Sequence, residues 1–391
     1  MSGPGPGSAR PRVLLILTYY RPHVSGLTIY VERLARSLVD RGHDVTVLTS
    51  RYDRSLPSEE IVDGVRVVRV PVLARVSKGV VMPILPWLIR EVRRHDVVSV
   101  HLPQLDGGLA ALVARAWRRP TVLTYHCDLQ LPAGVVNRVA DAVVHVMNWV
   151  AATAAHRVVA YTQDYADHTS LLRRVRRKVR VVPPPVVMDE PDPVAVERFR
   201  QTHGVADGPV LGMAARLATE KGVEFLLEAA RDLRRTHPGV RVLFAGPHED
   251  VVGEQQYHDR LAPMWDELGD RWRFVGTLRP DEMPAFYGAI DVLVVASVNS
   301  TESFGLVQVE AMLCRTPVVA TDLPGVRQPV TMTGMGRVVP VGDGPAIADA
   351  VRSIVDDPDS VIRPRAEIAG QFDIGATTDA YVRLFDEVGR S

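Results

Sequence analysis

Short apolar runs alternate with longer amphipathic stretches in the first half of the chain. "RVLLILTYY" (12–20) reads as a buried strand, and in "SGLTIYVERLARSLVDRGH" (25–43) apolar residues recur every three or four positions, which predicts a helix. Further apolar runs that predict strands lie at 44–50, 95–101, 119–126, 156–162 and 179–185. Strand–helix–strand repetition of this kind indicates a parallel sheet with helices on both faces.

A proline-rich stretch separates this half from a second series of alternating elements. "PPP" (183–185) is followed by the acidic "DEPDP" (189–193), which is typical of a linker. New strands are predicted at 209–215, 240–246, 272–276, 291–297 and 316–321. The pattern therefore predicts an α/β protein with two Rossmann-like domains that face each other across a cleft. In such sheets, ligands bind beyond the carboxyl ends of the strands.

Composition is consistent with two soluble domains. The chain has 391 residues, of which 46% are apolar and 24% charged, and its two cysteines, Cys127 and Cys314, lie far apart. Such sparse cysteines argue against a disulfide framework and favour a reducing, cytoplasmic location. The opening Gly/Pro-rich segment, residues 1–11, is predicted to be a flexible leader. No uninterrupted apolar run reaches the roughly 18 residues of a membrane span.

A net charge of zero conceals a difference between the two halves. Residues 1–185 contain 26 Lys and Arg against 14 Asp and Glu, whereas the remainder contains 20 against 32. The basic half either binds an anionic partner, including an acidic membrane surface, or carries solvated arginines on its helices. The apolar segment 80–94, which ends in basic residues, either contacts a membrane or lipid acceptor or is buried.

Two cations follow a predicted strand in the second half. Arg216 comes directly after "PVLGMAA", and Lys221 follows five residues later, before the helical "VEFLLEAARDL". An arginine fork and a lysine ammonium at one turn can converge on a single anion, although surface charge around a turn is the simpler explanation.

The segment "TESFGLVQVEAM" (301–312) carries two carboxylates around a predicted helix start. Gly305 permits close approach of a ligand to the backbone, and a helix N-terminus favours phosphate. Glu302 precedes the helix and Glu310 lies within it; eight helical residues span about 12 Å, too far for a close acid/base pair. The two carboxylates either hold opposite ends of one elongated ligand or are ordinary helix charges.

The first half offers weaker candidates at its strand ends. Ser25 and Gly26 follow the first strand at a helix start, where they bind a ligand or merely form a turn. His126 and Asp128 follow another strand, and a single histidine there is either structural or catalytic.

The sequence lacks the motifs of several other kinds of binding site. The sequence has neither a P-loop nor a G-x-G-x-x-G motif, and no Cys/His cluster has metal-ligand spacing. The basic "RRVRRKVR" (173–180) lacks interleaved aromatic residues, so no nucleic-acid partner is expected.

Three segments, in order, resemble the retaining glycosyltransferases of family 4, which have the GT-B fold. They are "GLTIYVERLARSLVDRGHDVTVLT", "ARLATEKGVEFLLEA" and "ESFGLVQVEAMLCRTPVVATDLPGVRQPV". The resemblance implies an acceptor-binding domain over 12–185, a nucleotide-sugar-binding domain over 186–374, and a final helix, 375–391, that packs on the first domain.

The resemblance also implies roles for individual residues of the donor site. Arg216 and Lys221 would grip the diphosphate and stabilise the leaving group, and Glu302 would hold the hydroxyl groups of the sugar. Backbone amides at Phe304, Gly305 and Leu306 would assist, while Glu310 would bind the ribose.

In the first domain the resemblance assigns Gly26 to the phosphates and His126 to the reacting face of the sugar. This chain has Ser25-Gly26 where Gly-Gly is more usual, and the role of Asp128 is open because Cys127 separates it from His126.

The implied reaction transfers a hexose-type sugar from a UDP- or GDP-sugar with retention, without metal or other cofactor. The acceptor is unidentified, and a lipid-linked or anionic glycan precursor fits the basic first half. Two alternatives stay open: a sugar-nucleotide 2-epimerase of the same fold, and a non-catalytic nucleotide-sugar-binding subunit.

Overall fold

The structure is a computed structural model that describes residues 10–76, 79–130, 134–205 and 208–390. Most of the predicted leader lies outside this range. The described chain forms two compact units, the first running up to Pro185 and resuming at Ile374, the second spanning Val186–Asp373. Each unit contains one large, mainly parallel sheet between helices.

The first unit contains ten described strands and seven described α-helices. Its strands are β1 (Val13–Ile16), β2 (Val45–Arg51), β3 (Glu59–Val62), β4 (Val65–Pro71), β5 (Ala74–Val76), β6 (Gly79–Val81), β7 (Val97–Leu102), β8 (Thr121–Tyr125), β9 (Arg157–Ala160) and β10 (Val179–Val181). Its helices are α1 (Gly26–Asp40), α2 (Leu85–Arg94), α3 (Gly107–Ala116), α4 (Val135–Ala154), α5 (Gln163–His168), α6 (Ser170–Arg174) and the final helix, α15 (Ile374–Gly389).

The second unit contains six described strands and eight described α-helices. Its strands are β11 (Val210–Ala214), β12 (Arg241–Ala245), β13 (Trp272–Gly276), β14 (Val292–Val295), β15 (Val318–Thr321) and β16 (Gly336–Val339). Its helices are α7 (Pro193–Thr202), α8 (Val223–Leu233), α9 (Gln255–Leu268), α10 (Met283–Ala289), α11 (Leu306–Leu313), α12 (Gln328–Thr333), α13 (Gly344–Asp356) and α14 (Arg365–Gln371).

The order of the strands places a topological switch point in each sheet. The first sheet runs β10-β9-β8-β7-β1-β2-β4-β3 and is parallel except for β3; the second runs β13-β12-β11-β14-β15-β16 and is parallel throughout. Strand order reverses between β1 and β7 in the first sheet and between β11 and β14 in the second. Ligands of doubly wound sheets bind in the crevice beside such a reversal. The predicted Rossmann-like architecture is confirmed.

Strands at the centre of both sheets are buried on both faces. Every residue of β1 and β14 is buried, because helices cover the two sides of each sheet. The sequence pattern did not reveal the β3–β4 antiparallel pair or β16. The segment 80–94 contributes β6 and α2, and its apolar residues Val80, Met82, Ile84, Leu88 and Val92 are buried in the core of the first unit.

The C-terminal helix α15 belongs to the first unit. Its Tyr381 hydroxyl lies 2.7 Å from the hydroxyl of Tyr30 on α1 and 2.7 Å from that of Thr124 on β8. All three side chains are buried, so these hydrogen bonds close a polar network inside the core. At the rim, the Arg41 guanidinium pairs with Asp379 at 2.9 Å.

Candidate active site

Lys221 and Glu302 meet beside the switch point of the second sheet. Lys221 ends the turn that follows β11, and Glu302 lies in the loop that follows β14. The two strands are adjacent, and the lysine Nζ lies 2.5 Å from Glu302 Oε2. Their side chains are 21% and 23% exposed, so a ligand can reach both. The structure thus brings together two residues that were predicted separately.

Gly222 allows the two loops to approach this closely. It has φ +61°, and a Cβ placed there would lie 2.2 Å from the carbonyl oxygen of Ala296. The Val298 N–H donates to the Glu220 carbonyl at 3.0 Å, which also joins the loops. A residue with a side chain would push the β14 loop away from Lys221.

The turn before Lys221 is held by a buried carboxylate. Glu254 accepts hydrogen bonds from the Thr219 N–H at 3.0 Å and from the Thr219 hydroxyl at 2.8 Å, and it is only 5% exposed. This support could not be predicted from the sequence, because Glu254 lies 35 residues further along the chain.

Arg216 is paired with a neighbouring acid. Its guanidinium contacts the carboxylate of Glu220, and its side chain is 40% exposed. Both cations that were predicted to bind phosphate therefore have carboxylate partners, Glu220 and Glu302.

Gly305 precedes the first turn of α11. It has φ +77°, a left-handed conformation that favours glycine, and Leu306 is the first helical residue. The first N–H groups of a helix have no partner within the helix and can donate to an anion. Phe304 itself is buried, and its ring packs edge-on against Phe372 at 5.7 Å.

Gln308 fixes the loop that carries Glu302 and Gly305. This fully buried side chain donates to the carbonyls of Phe304 at 2.7 Å and Val326 at 2.9 Å. It thereby joins the start of α11 to the loop after β15. Sequence reasoning passed over Gln308, although a glutamine in the apolar first turns of this helix was a visible signal.

Glu310 is held inside the second unit. It is 7% exposed, and its Oε2 accepts a hydrogen bond from the Tyr287 hydroxyl on α10 at 3.1 Å. A carboxylate that is buried and hydrogen-bonded is a positioned group rather than a solvated helix charge. Its contact with a ribose stays a prediction.

The predicted residues at the strand ends of the first unit have structural partners. Ser25 caps α1, accepting from the Thr28 N–H at 3.2 Å, and Gly26 is the first residue of that helix. Asp128 accepts from the Tyr125 hydroxyl at 2.7 Å, and its own N–H donates to Tyr165 at 2.8 Å.

His126 lies inside the first unit rather than on an open face. Its ring is 4% exposed, with Nε2 2.9 Å from His101 Nδ1 and Nδ1 in contact with the Tyr161 hydroxyl. Burial lowers the pKa of His126 well below its usual value and that of His101 to about 3, so both rings are neutral. A catalytic role for the His126 ring stays a prediction, and it requires these hydrogen bonds to rearrange.

His101 was a residue that the sequence could have identified. It lies near the carboxyl end of β7, in register with Thr124 of the neighbouring β8. The strand-end rule that singled out His126 therefore applies equally to His101.

Two further findings concern metals and membranes. Within the described ranges, no group of three or more His, Cys, Asp or Glu side chains could hold a metal ion. Among the helices that the structure describes, none combines the length and the apolar character needed to cross a bilayer.

Comparisons with known proteins assign the chain to a family. The family model for Glycosyltransferase Family 4 matches residues 24–190, and that for Glycosyl transferases group 1 matches residues 196–369. A 2-deoxystreptamine N-acetyl-D-glucosaminyltransferase of Streptomyces fradiae is 33% identical, over 85% of this chain and 83% of the relative. A D-inositol 3-phosphate glycosyltransferase of Acidothermus cellulolyticus is 31% identical, over 85% and 78% of the two chains.

A solved structure shows the same fold. The Anabaena protein HepE in complex with UDP-glucose superposes with a TM-score of 0.78 at 20% identity, over 97% of this chain and 100% of HepE. The same family is indicated by both family models, by these relatives and by the two Rossmann-like sheets. The chain belongs to the family-4 glycosyltransferases of the GT-B fold.

Proposed function

We propose that the protein transfers a hexose-type sugar from a UDP- or GDP-sugar to an acceptor hydroxyl, with retention of configuration and without a metal. The observation that carries this proposal is the Lys221–Glu302 pair, 2.5 Å apart, beside the left-handed Gly305 that opens α11. Cations, a helix N-terminus and a carboxylate together suit a diphosphate joined to a sugar. That the structural relative HepE was solved with UDP-glucose supports a nucleotide-sugar donor.

In the proposed reaction, the bond between the anomeric carbon and the phosphate oxygen breaks, and a bond from the acceptor oxygen forms on the same face. The acceptor proton passes to the departing nucleoside diphosphate. Lys221 and Arg216, together with the N–H groups at Gly305 and Leu306, stabilise the negative charge that develops on the leaving phosphate. Glu302 orients the sugar by accepting hydrogen bonds from its hydroxyls, and Glu310 accepts from the ribose.

A test that needs no acceptor uses water in its place. Thermal-shift measurements with UDP-, GDP-, ADP- and dTDP-hexoses select the donor, and proton NMR then follows its slow hydrolysis. We expect one donor to raise the melting temperature and the sugar to be released first as the anomer present in the donor. Release of the opposite anomer would refute retention, and the absence of any shift would refute donor binding.

The same experiment separates the two alternatives. A sugar-nucleotide 2-epimerase would convert the hexose of the donor to its C2 epimer, which NMR resolves. A non-catalytic binding subunit would give a thermal shift with no hydrolysis above the spontaneous rate.

A further inference from the structure

A cavity of about 300 Å³ lies at the switch point of the first sheet. Thr18 and Tyr19, which follow β1, form one side, and Pro103 and Gln104, which follow β7, form another. Ser25, the cap of α1, also lines it. The cavity therefore occupies the position where doubly wound sheets bind ligands, and its volume is at the lower end of those of small-molecule sites.

The lining of this cavity is apolar. Besides the polar groups near the strand ends, its walls are formed by Leu27, Val80, Leu105, Leu129 and Val144, among others. None of the described residues that line it carries a charge. A phosphorylated or amine-bearing polyol would need a charged counterpart, whereas a hydrocarbon group gains by leaving water for such walls.

One helix extends this apolar lining to the surface. Ala140, Val143 and Val144 of α4 line the cavity, and Val143 is itself 42% exposed. Exposed apolar side chains continue along the same helix at Val139 (60%), Val146 (54%) and Trp149 (47%). Single exposed valines are ordinary, but a stripe that runs into a cavity indicates an interaction site.

We propose that the acceptor is amphiphilic, with a hydrocarbon group that enters this cavity and continues along the α4 stripe (Val139, Val143, Val146, Trp149). This inference rests on the proposed function, because it names the chemical class of the acceptor. The hydroxyl-bearing head then lies at the strand ends, near Ser25 and Gln104, and the apolar chain leaves past Val143. Continuity between the cavity and the stripe favours a single elongated occupant over two separate contacts.

The test compares two probes that differ only in their chain, n-octyl β-D-glucoside and methyl β-D-glucoside. Isothermal titration below the critical micelle concentration should show binding of the octyl glycoside at least tenfold tighter than that of the methyl glycoside. Ala140→Trp, which fills the cavity, should weaken octyl binding at least tenfold. Ala116→Trp, at an exposed position of α3 that does not line the cavity, should leave it unchanged.

Other results would overturn the inference. Equal binding of both glycosides would exclude an apolar subsite. If Ala140→Trp leaves octyl glycoside binding intact, the octyl group binds outside this cavity. If light scattering shows that the stripe mediates self-association and the octyl glycoside does not compete with it, the stripe is an interface between copies of the protein. If Ala140→Trp does not fold, Val143→Asp at the half-exposed rim serves instead. UDP-sugar and GDP-sugar thermal shifts on the same variants report the donor site, so failure here is distinguishable from failure of the proposed function.

Discussion

Among single residues, Glu302 can pair with two different groups, the Lys221 ammonium group and the hydroxyl groups of a sugar. In the structure it pairs with Lys221, whereas in the proposed complex it would accept from sugar hydroxyls while Lys221 contacts phosphate. The ion pair holds both side chains in place. If Lys221 binds the diphosphate as proposed, the Glu302 carboxylate competes with that diphosphate for the same ammonium group.

This competition predicts opposite effects on nucleotide and sugar recognition. Glu302→Gln removes the negative charge beside Lys221 with little change in shape, so UDP or GDP should bind as tightly as to the wild type or more tightly. Donor hydrolysis should fall by at least tenfold, because the sugar loses a charged acceptor. Calorimetry measures the nucleotide affinity and NMR measures the rate of donor hydrolysis. If both fall together in Glu302→Gln, Glu302 does not act on the sugar separately from the diphosphate.

Gly222 offers a second test at this scale, with a matched control. Gly204 has the same φ of +61°, but a Cβ there would lie 3.7 Å from its nearest neighbour, an ordinary contact. Gly204→Ala should cost about 1–2 kcal/mol from backbone strain alone. Gly222→Ala should cost about 1–3 kcal/mol more, because the new methyl group collides with the Ala296 carbonyl. Urea unfolding measures the free energy of unfolding of both variants. Equal losses would show that the close approach of Gly222 to the Ala296 carbonyl does not contribute to stability.

At the scale of elements, helix α15 is fixed to the first unit by a buried hydroxyl. Tyr381→Phe keeps the ring but removes the oxygen that joins Tyr30 and Thr124, and so leaves two buried hydroxyls without this partner. The free energy of unfolding should fall by about 1–3 kcal/mol. Arg383→Ala, at an exposed position of α15, should change it by less than about 0.5 kcal/mol. Similar values for both variants in urea unfolding would contradict a role for the hydroxyl network.

Elements with strong periodicity or long apolar runs were predictable from the sequence. The helical segment 223–233 and the strand 272–276 have the bounds that the pattern predicted, and α1 differs only at its ends. The β3–β4 pair was missed because Arg66 and Arg69 interrupt its apolar pattern, although Arg69 is itself buried. Strand β16 has four residues and too little periodicity to stand out.

The partners within the site were less predictable than its members. Lys221 and Glu302 were both named from local signals, but 81 residues separate them along the chain. Their contact depends on β14 inserting beside β11, which is a property of strand order and not of periodicity. The partner of His126 was missed for the same reason, because His101 comes from the neighbouring strand β7.

At the scale of the whole molecule, buried histidines make stability depend on pH. Burial lowers the pKa values of His101 and His126, whereas an unfolded chain binds a proton at histidine near pH 6.5. Their contribution is therefore complete above about pH 6.5 and is lost as the pH falls; for His101, with a folded-state pKa of about 3, the loss at pH 5 is about 2 kcal/mol.

Unfolding in urea at pH 7.5 and pH 5 measures this loss. His101→Phe should reduce the difference in unfolding free energy between the two pH values, whereas Leu123→Ala, at a buried residue without a titratable group, should lower stability alike at both. An unaltered difference in His101→Phe would mean that this ring titrates alike in the folded and unfolded states.

Titration calorimetry with UDP and GDP measures whether Lys221 binds the diphosphate of a nucleotide sugar, as proposed. We expect one of them to bind the wild type and Lys221→Ala to weaken that binding by about 10- to 150-fold, the value of a charge-assisted hydrogen bond of about 1.5–3 kcal/mol. Arg235→Ala, whose side chain is 82% exposed in the same unit, should bind like the wild type. Equal affinity of the wild type and Lys221→Ala, or no binding of either nucleotide, would show that Lys221 does not bind a nucleoside diphosphate.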